Sequence, residues 1–163
     1  MPATYEPIAT TTLGSAQSTV TFSSISQAYT DLVLVICAIA TSTTNNMDLQ
    51  FNGDTGSNYS RTNLTGDGSS AFSNRASNQS YIRITADGIV TTAASNHIVH
   101  ILNYSNTTTN KTVLARANNS AYGVDAIVGL WRSTSAITSL LLDLTAADFA
   151  SGSTFTLYGI KAA

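Results

Sequence analysis

The chain predicts an all-β fold, a single-domain β-sandwich of jelly-roll-like winding with about nine or ten strands. Three observations carry this. Thr, Ser and Asn supply 25, 21 and 13 residues, together 59 of 163, while there is one Glu (Glu6) and only two Lys (Lys111, Lys161). The best exposed helix formers are thus nearly missing, and short neutral side chains suited to strands and turns stand in their place. Second, Tyr29 to Ala40 is the longest near-unbroken apolar run and is rich in β-branched residues. Third, short runs of alternating polarity are separated by turn residues along the whole chain. No internal repeat and no composition break appears, so residues 1–163 are read as one domain.

Taken in order, Tyr5 to Leu13 is extended, with Pro2 and Pro7 placing it at a sheet edge or a strand start, because proline cannot donate to a ladder. Thr19 to Ser23 alternates around Val20 and Phe22. Tyr29 to Ala40 is the central strand, with Leu32, Leu34, Ile36 and Ala38 on one face and Val33, Val35, Cys37 and Ile39 on the other. Both faces are apolar, so a covering layer is expected on each side. Met47 to Asn52 returns with Leu49 and Phe51 inward. Asn52 to Asn58 is a dense turn cluster, and from there to Gln79 the sequence predicts a long ordered surface excursion anchored by Tyr59, Leu64 and Phe72.

Ser80 to Thr85 reads as a strand and Ala86 to Ala94 as a second irregular link. These two long connections interrupt what would be a simple meander, which is why a jelly roll is the expected winding. Asn96 to Tyr104 is a clear strand, with Ile98, His100 and Leu102 opposite His97, Val99 and Ile101. Lys111 to Asn118 follows as its hairpin partner, Val113, Ala115 and Ala117 facing away from Thr112, Leu114 and Arg116. Val124 to Arg132 and Ile137 to Leu144 are two further apolar strands. Thr145 to Gly152 is expected to hold one helical turn, and Thr154 to Ile160 closes the fold.

Charge narrows the function classes. Only 10% of residues are charged and the net charge is −2, so the basic footprint of a nucleic-acid binder is missing. The twelve-residue apolar run is shorter than the roughly 20 residues of a membrane-crossing helix, and no membrane partner is expected. A lone cysteine, Cys37, allows no intrachain disulfide and reads as a small buried apolar residue. The first residues, Met-Pro-Ala-Thr-Tyr-Glu-Pro, do not read as a secretion signal, so synthesis in a cytoplasm is expected.

Catalysis requires a nucleophile with a base, paired carboxylates or an open metal, and candidates are few. His97 and His100 lie three apart on one strand, hence on opposite faces, and read as structural or interface residues. Glu6 and the acids Asp31, Asp48, Asp54, Asp67, Asp87, Asp125, Asp143 and Asp148 are scattered beside turns and read as caps. Asp48, Asp54 and Asp67 with Asn52 are the best oxygen-ligand set for calcium, yet the alternating acids closed by Glu of a calcium loop are missing. Gly53-Asp54-Thr55-Gly56 is turn chemistry, lacking the Lys-Ser/Thr of a phosphate loop. Trp131 reads as a core residue, with stacking on a sugar as the sharper alternative. Tyr59, Tyr81, Tyr104, Tyr122 and Tyr158 suit either a protein interface or half-buried strand positions. No catalytic, metal or cofactor-binding residue is assigned and no cofactor is expected.

Several segments occur in an order that resembles a family of small structural proteins from tailed bacteriophages, above all those of cyanobacteria and other aquatic bacteria. They are Ser18-Thr19-Val20-Thr21-Phe22-Ser23-Ser24-Ile25, Tyr29-Thr30-Asp31-Leu32-Val33-Leu34 and Phe51-Asn52-Gly53-Asp54-Thr55-Gly56-Ser57-Asn58-Tyr59, followed by Gly129-Leu130-Trp131, Ala136-Ile137-Thr138-Ser139 and Thr156-Leu157-Tyr158-Gly159-Ile160. The resemblance implies a β-sandwich, commonly a homotrimer, acting as a capsid decoration (cement) protein or as a tail-fibre module. No catalytic residues come with it. A sandwich that starts within the first dozen residues and ends three after its last strand is expected to stand free, which favours the cement role. That role implies the outer capsid surface of the virion as location and the major capsid protein as partner. A receptor-binding fibre module recognising host carbohydrate is the alternative, and a polysaccharide hydrolase would need a converging carboxylate pair.

Overall fold

Alternation of apolar with small polar residues organises the chain into strands, and the computed structural model describes residues 4–42, 46–85, 88–119 and 121–161. They contain twelve strands: β1 (Tyr5–Thr12), β2 (Thr19–Phe22), β3 (Asp31–Ala38), β4 (Met47–Phe51), β5 (Tyr59–Gly66), β6 (Ala71–Gln79), β7 (Ile82–Arg83), β8 (Ser95–Leu102), β9 (Lys111–Asn119), β10 (Gly123–Trp131), β11 (Leu140–Leu144) and β12 (Thr154–Ile160). No helix occurs among the described residues.

The strands form two antiparallel sheets, eight-stranded in the order β1-β12-β3-β8-β9-β10-β5-β6 and four-stranded in the order β2-β11-β4-β7. One apolar cluster draws on both: Leu34, Ile36, Val99, Ile127 and Leu157 from the large sheet meet Val20, Phe22, Leu49, Phe51 and Leu142 from the small one. Each such side chain taken fully from water contributes roughly 1.5–3 kcal/mol. The sheets approach closely at Gly129, where a Cβ would stand 2.6 Å from Ile82 Cγ2 of β7. Pro7 lies in edge strand β1 beside a register shift between Pro7 and Ala9, a position where a missing N–H costs least.

The structure departs from the sequence expectation in four places. The long excursion over residues 58–79 is instead the hairpin β5–β6, which raises the strand number from ten to twelve. It was hidden because β5 turns polar side chains inward. Arg61 Nη1 donates to Asn63 Oδ1 (2.7 Å), Asn63 Nδ2 to Thr65 Oγ1 (3.1 Å) and Thr65 Oγ1 to Asp125 Oδ1 (2.7 Å). A satisfied polar chain of this kind replaces the apolar stripe by which a strand is normally recognised.

Second, β3 is not covered on both faces. Leu32, Leu34, Ile36 and Ala38 are fully buried; on the opposite face Val33 is 4% exposed between Tyr158 and His100, whereas Val35 is 38% exposed, because the four-stranded sheet lies on the first side. Third, residues 145–152 form turns, since Phe149 exchanges backbone hydrogen bonds with Gln17 (2.8 and 3.1 Å) and is thereby held extended. Fourth, the expected strands over 80–85 and 137–144 contract to β7 and β11. Part of the expected link over 86–94, Ala86 and Asp87, lies outside the described residues.

Candidate interaction surface

The outer face of the large sheet is the most distinctive surface. Strand register sets its rows. Thr156, Val35, Ile98, Arg116, Ala126 and Leu64 follow one another across six strands, and Tyr158, Val33, His100, Leu114, Val128 and Thr62 form the next row. Its middle is aliphatic and open, with Leu64 57%, Val128 51% and Leu114 43% exposed. Twist makes part of it concave, a groove of about 580 Å³ whose walls include Leu64, Ile98, Val124 and Ala126 beside Arg116. Three side chains on this face are formally charged, Asp31 at one margin, Arg116 near the middle and Arg75 on β6, placed there by the registers Asp31–Ile160, Arg116–Ile98 and Arg75–Thr62.

Beside the β5 end of the fold the turn cluster forms a knot around Asp54. Asn52 and Gly53 take positive φ (54° and 68°), which reverses the chain. Asp54 then accepts from Trp131 Nε1 (2.7 Å), Gly56 N (2.8 Å) and Asn58 Nδ2 (2.9 Å). The Trp131 bond above all holds the carboxyl below the ordinary aspartate pKa, against the opposing effect of burial. Trp131 itself is 2% exposed, stacked on Tyr59 at 6.2 Å and tilted against Phe51 at 5.5 Å. It is a core residue and offers no face to a sugar.

Asp48 and Asp67 are each committed to their own neighbours. Asp48 is ion-paired with Arg83 at 3.0 Å and accepts from Thr145 Oγ1 at 3.1 Å. Asp67 accepts from the Ser69 and Ser70 backbone at 2.9 and 2.7 Å, the Ser70 bond leading, and its pKa is depressed accordingly. Asp48, Asp54 and Asp67 therefore do not build one oxygen cage, and no group of three or more His, Cys, Asp or Glu among the described residues is arranged to hold a metal ion. Asp48 and Asp143 are direct cross-strand partners on the outer side of the small sheet. Burial, then the Asp48 charge, raises the Asp143 pKa. Among the described residues Arg83 is ion-paired with Asp48 alone.

The two histidines face opposite sides as their spacing requires. His97 is 1% exposed on the core side with neither ring nitrogen hydrogen-bonded, and burial lowers its pKa to about 4. His100 is half-buried on the outer face. Cys37, half-buried, also faces outward. Glu6 accepts from Lys161 Nζ (2.8 Å) and Tyr29 OH (3.1 Å), tying β1 to the chain end. Tyr59 and Tyr104 are buried, whereas Tyr122 is 60% exposed.

Sequence reasoning missed two features. Lys111 is fully buried, its Nζ donating to Thr109 O (2.8 Å) and Thr134 O (3.2 Å), with its pKa lowered by burial. The inward polar chain of β5 was missed too, although Arg61, Asn63 and Thr65 alternating with Thr62 and Leu64 carry a period of two with the usual polarity inverted.

The fold and this surface define an all-β protein of two antiparallel sheets with one broad unsheltered face. No protein-family model, curated protein or solved structure matches the chain.

Proposed function

We propose that the protein is a phage virion structural protein, a capsid decoration protein that binds the major capsid protein on the outside of the head and stabilises the shell by non-covalent contacts. The carrying observation is the outer face of the large sheet, broad and aliphatic at its centre with three formal charges. Depletion of charge with aliphatic burial is the pattern of an interface centre, and contacts of this kind depend little on salt. The ordered segments that resemble phage virion proteins support the same reading and add a homotrimer to it. A jelly-roll winding is supported by the way the chain passes from large to small sheet and back at each of β1 to β5.

Copy number decides the assignment. Quantifying the protein in purified virions is expected to give many copies on the head, acquired by preformed shells and retained through a salt series. Release at moderate salt, or a few copies confined to the tail, overturns it.

One observation favours the alternative of a tail-fibre or receptor-binding module for host carbohydrate. Exposed Tyr122 borders a concavity of about 480 Å³ together with Asp67, Asn118 and Asn119, and an aromatic ring beside amide and carboxylate groups is sugar-binding chemistry. Measurable affinity for host surface sugar, lost in Tyr122→Ala, is the outcome that selects it.

A further inference from the structure

We propose that the free edge of β6 takes up an extended acidic segment of another protein as a further strand of the large sheet. The inference concerns the flank of the sandwich and does not depend on the decoration reading, which uses the outer face.

An edge strand leaves a row of N–H and C=O groups unpaired, a template for strand addition that proteins ordinarily blunt. Of the two edges of each sheet, three are blunted here. β1 carries Pro7 and a register shift, β2 has four residues and β7 has two. β6 has nine residues and no proline, and its register with β5 runs unbroken from Arg61–Ala76 to Gly66–Ala71. The hydrogen bond from Asp67 N to Ser70 O (3.2 Å) sets the alternation of that ladder. Phe72, Asn74 and Ala76 are thereby the residues bonded to β5, while Ala71, Ser73 and Arg75 turn their backbone groups outward, where the sheet has no further strand.

The side chains select the occupant. Arg75 is the midpoint of β6, so two copies pairing antiparallel over the whole strand would set Arg75 of one against Arg75 of the other, and like charges directly opposite are destabilising. Self-pairing is disfavoured and a carboxylate opposite Arg75 is favoured. The surroundings have the same sign. Arg61 on β5, Arg75 itself and Arg132, which donates to Asn78 Oδ1 (3.3 Å), are in no salt bridge among the described residues. Within residues 59–79 the one acid is Asp67, at the hairpin tip. On the core side of β6, Phe72 is 46% exposed, since the small sheet ends at β7, which packs on β5 and β10. The fitting strand therefore alternates, acidic side chains beside Arg75 and apolar ones beside Phe72. Backbone hydrogen bonds give such a contact its affinity and these side chains its selectivity.

Fluorescence anisotropy with the purified full chain tests this, using two synthetic peptides matched to the nine residues of β6, one alternating Val with Glu and one alternating Val with Lys. The Val/Glu peptide is expected to bind several-fold more tightly, and Arg75→Glu to invert the preference. Ser73→Pro removes an outward N–H and leaves the β5 ladder intact; it is expected to abolish binding with an unchanged far-ultraviolet circular dichroism spectrum. Amide exchange needs no variant: the Val/Glu peptide is expected to slow exchange at Ala71, Ser73 and Arg75 far more than at Phe72 and Asn74, which are bonded to β5 already. Equal affinity for the two peptides, no binding of the Val/Glu peptide, or protection confined to other strands overturns the proposal. So does a wild-type dimer in sedimentation that Ser73→Pro dissolves, which assigns the edge to a second copy.

Discussion

Gly159 is glycine because the ring of Tyr29 occupies its side-chain space: a Cβ there would meet three ring carbons at 2.3 to 2.5 Å. Tyr29 cannot easily give way, since its hydroxyl is bonded to Glu6 and Lys161 lies 5.6 Å from its ring centre. Gly159→Ala is therefore expected to destabilise the fold by about 1–3 kcal/mol, the usual cost of overpacking, as read from urea denaturation. Adding Tyr29→Ala should recover part of that loss, a coupling that two independent sites would not display.

His97 makes a different residue-scale claim, one about pH. Buried without a hydrogen-bond partner, its imidazole is held neutral, with a pKa near 4 against 6.5 for the free group. The unfolded chain therefore takes up the proton first as pH falls. Stability from this residue is complete above pH 6.5 and declines between 6.5 and about 4, by roughly 3 kcal/mol in all. Denaturation midpoints measured over that range should fall with pH in the native chain, and His97→Leu should flatten that part of the curve. Depressed carboxylates such as Asp54 act in a lower window, losing their contribution only as pH drops below the ordinary aspartate value of 3.8.

Among the elements, β5 and β6 behave unlike the rest. Every residue of β6 is exposed or half-exposed, and its one pairing is with β5, so little apolar burial holds it. Amide exchange is expected to be fastest in β6 and slowest in β3, β8 and β9, which lie inside the large sheet with fully buried Leu34, Val99 and Val113. Protection of β6 equal to that of β8 in a dilute, single-chain sample would contradict this account. The same contrast explains legibility. Thr19 to Ser23, Asn96 to Tyr104, Lys111 to Asn118, Val124 to Arg132 and Thr154 to Ile160 were readable because burial falls on alternate residues, as in the pattern of β9. Residues 58–79 were not, because β6 has no buried face and β5 has a polar one, leaving the period-two signal without hydrophobic contrast.

For the molecule as a whole, an all-β chain was determined by composition: short neutral side chains and scarce helix formers leave strands and turns as the only regular structure these residues favour. The opposed faces of His97 and His100, the core role of Trp131 and the turn at Asn52-Gly53 were likewise local, following from strand period and turn chemistry. The partition into sheets of eight and four strands, and with it the solvent-facing side of β3, depended on long-range pairing such as β1 with β12 and β5 with β10. Sequence alternation states that a strand has two faces and how apolar each one is. It is silent on which face another layer will cover, because that is settled by neighbours distant in the chain. The open outer face of the large sheet, the feature on which the proposed function turns, therefore became visible only in the folded molecule.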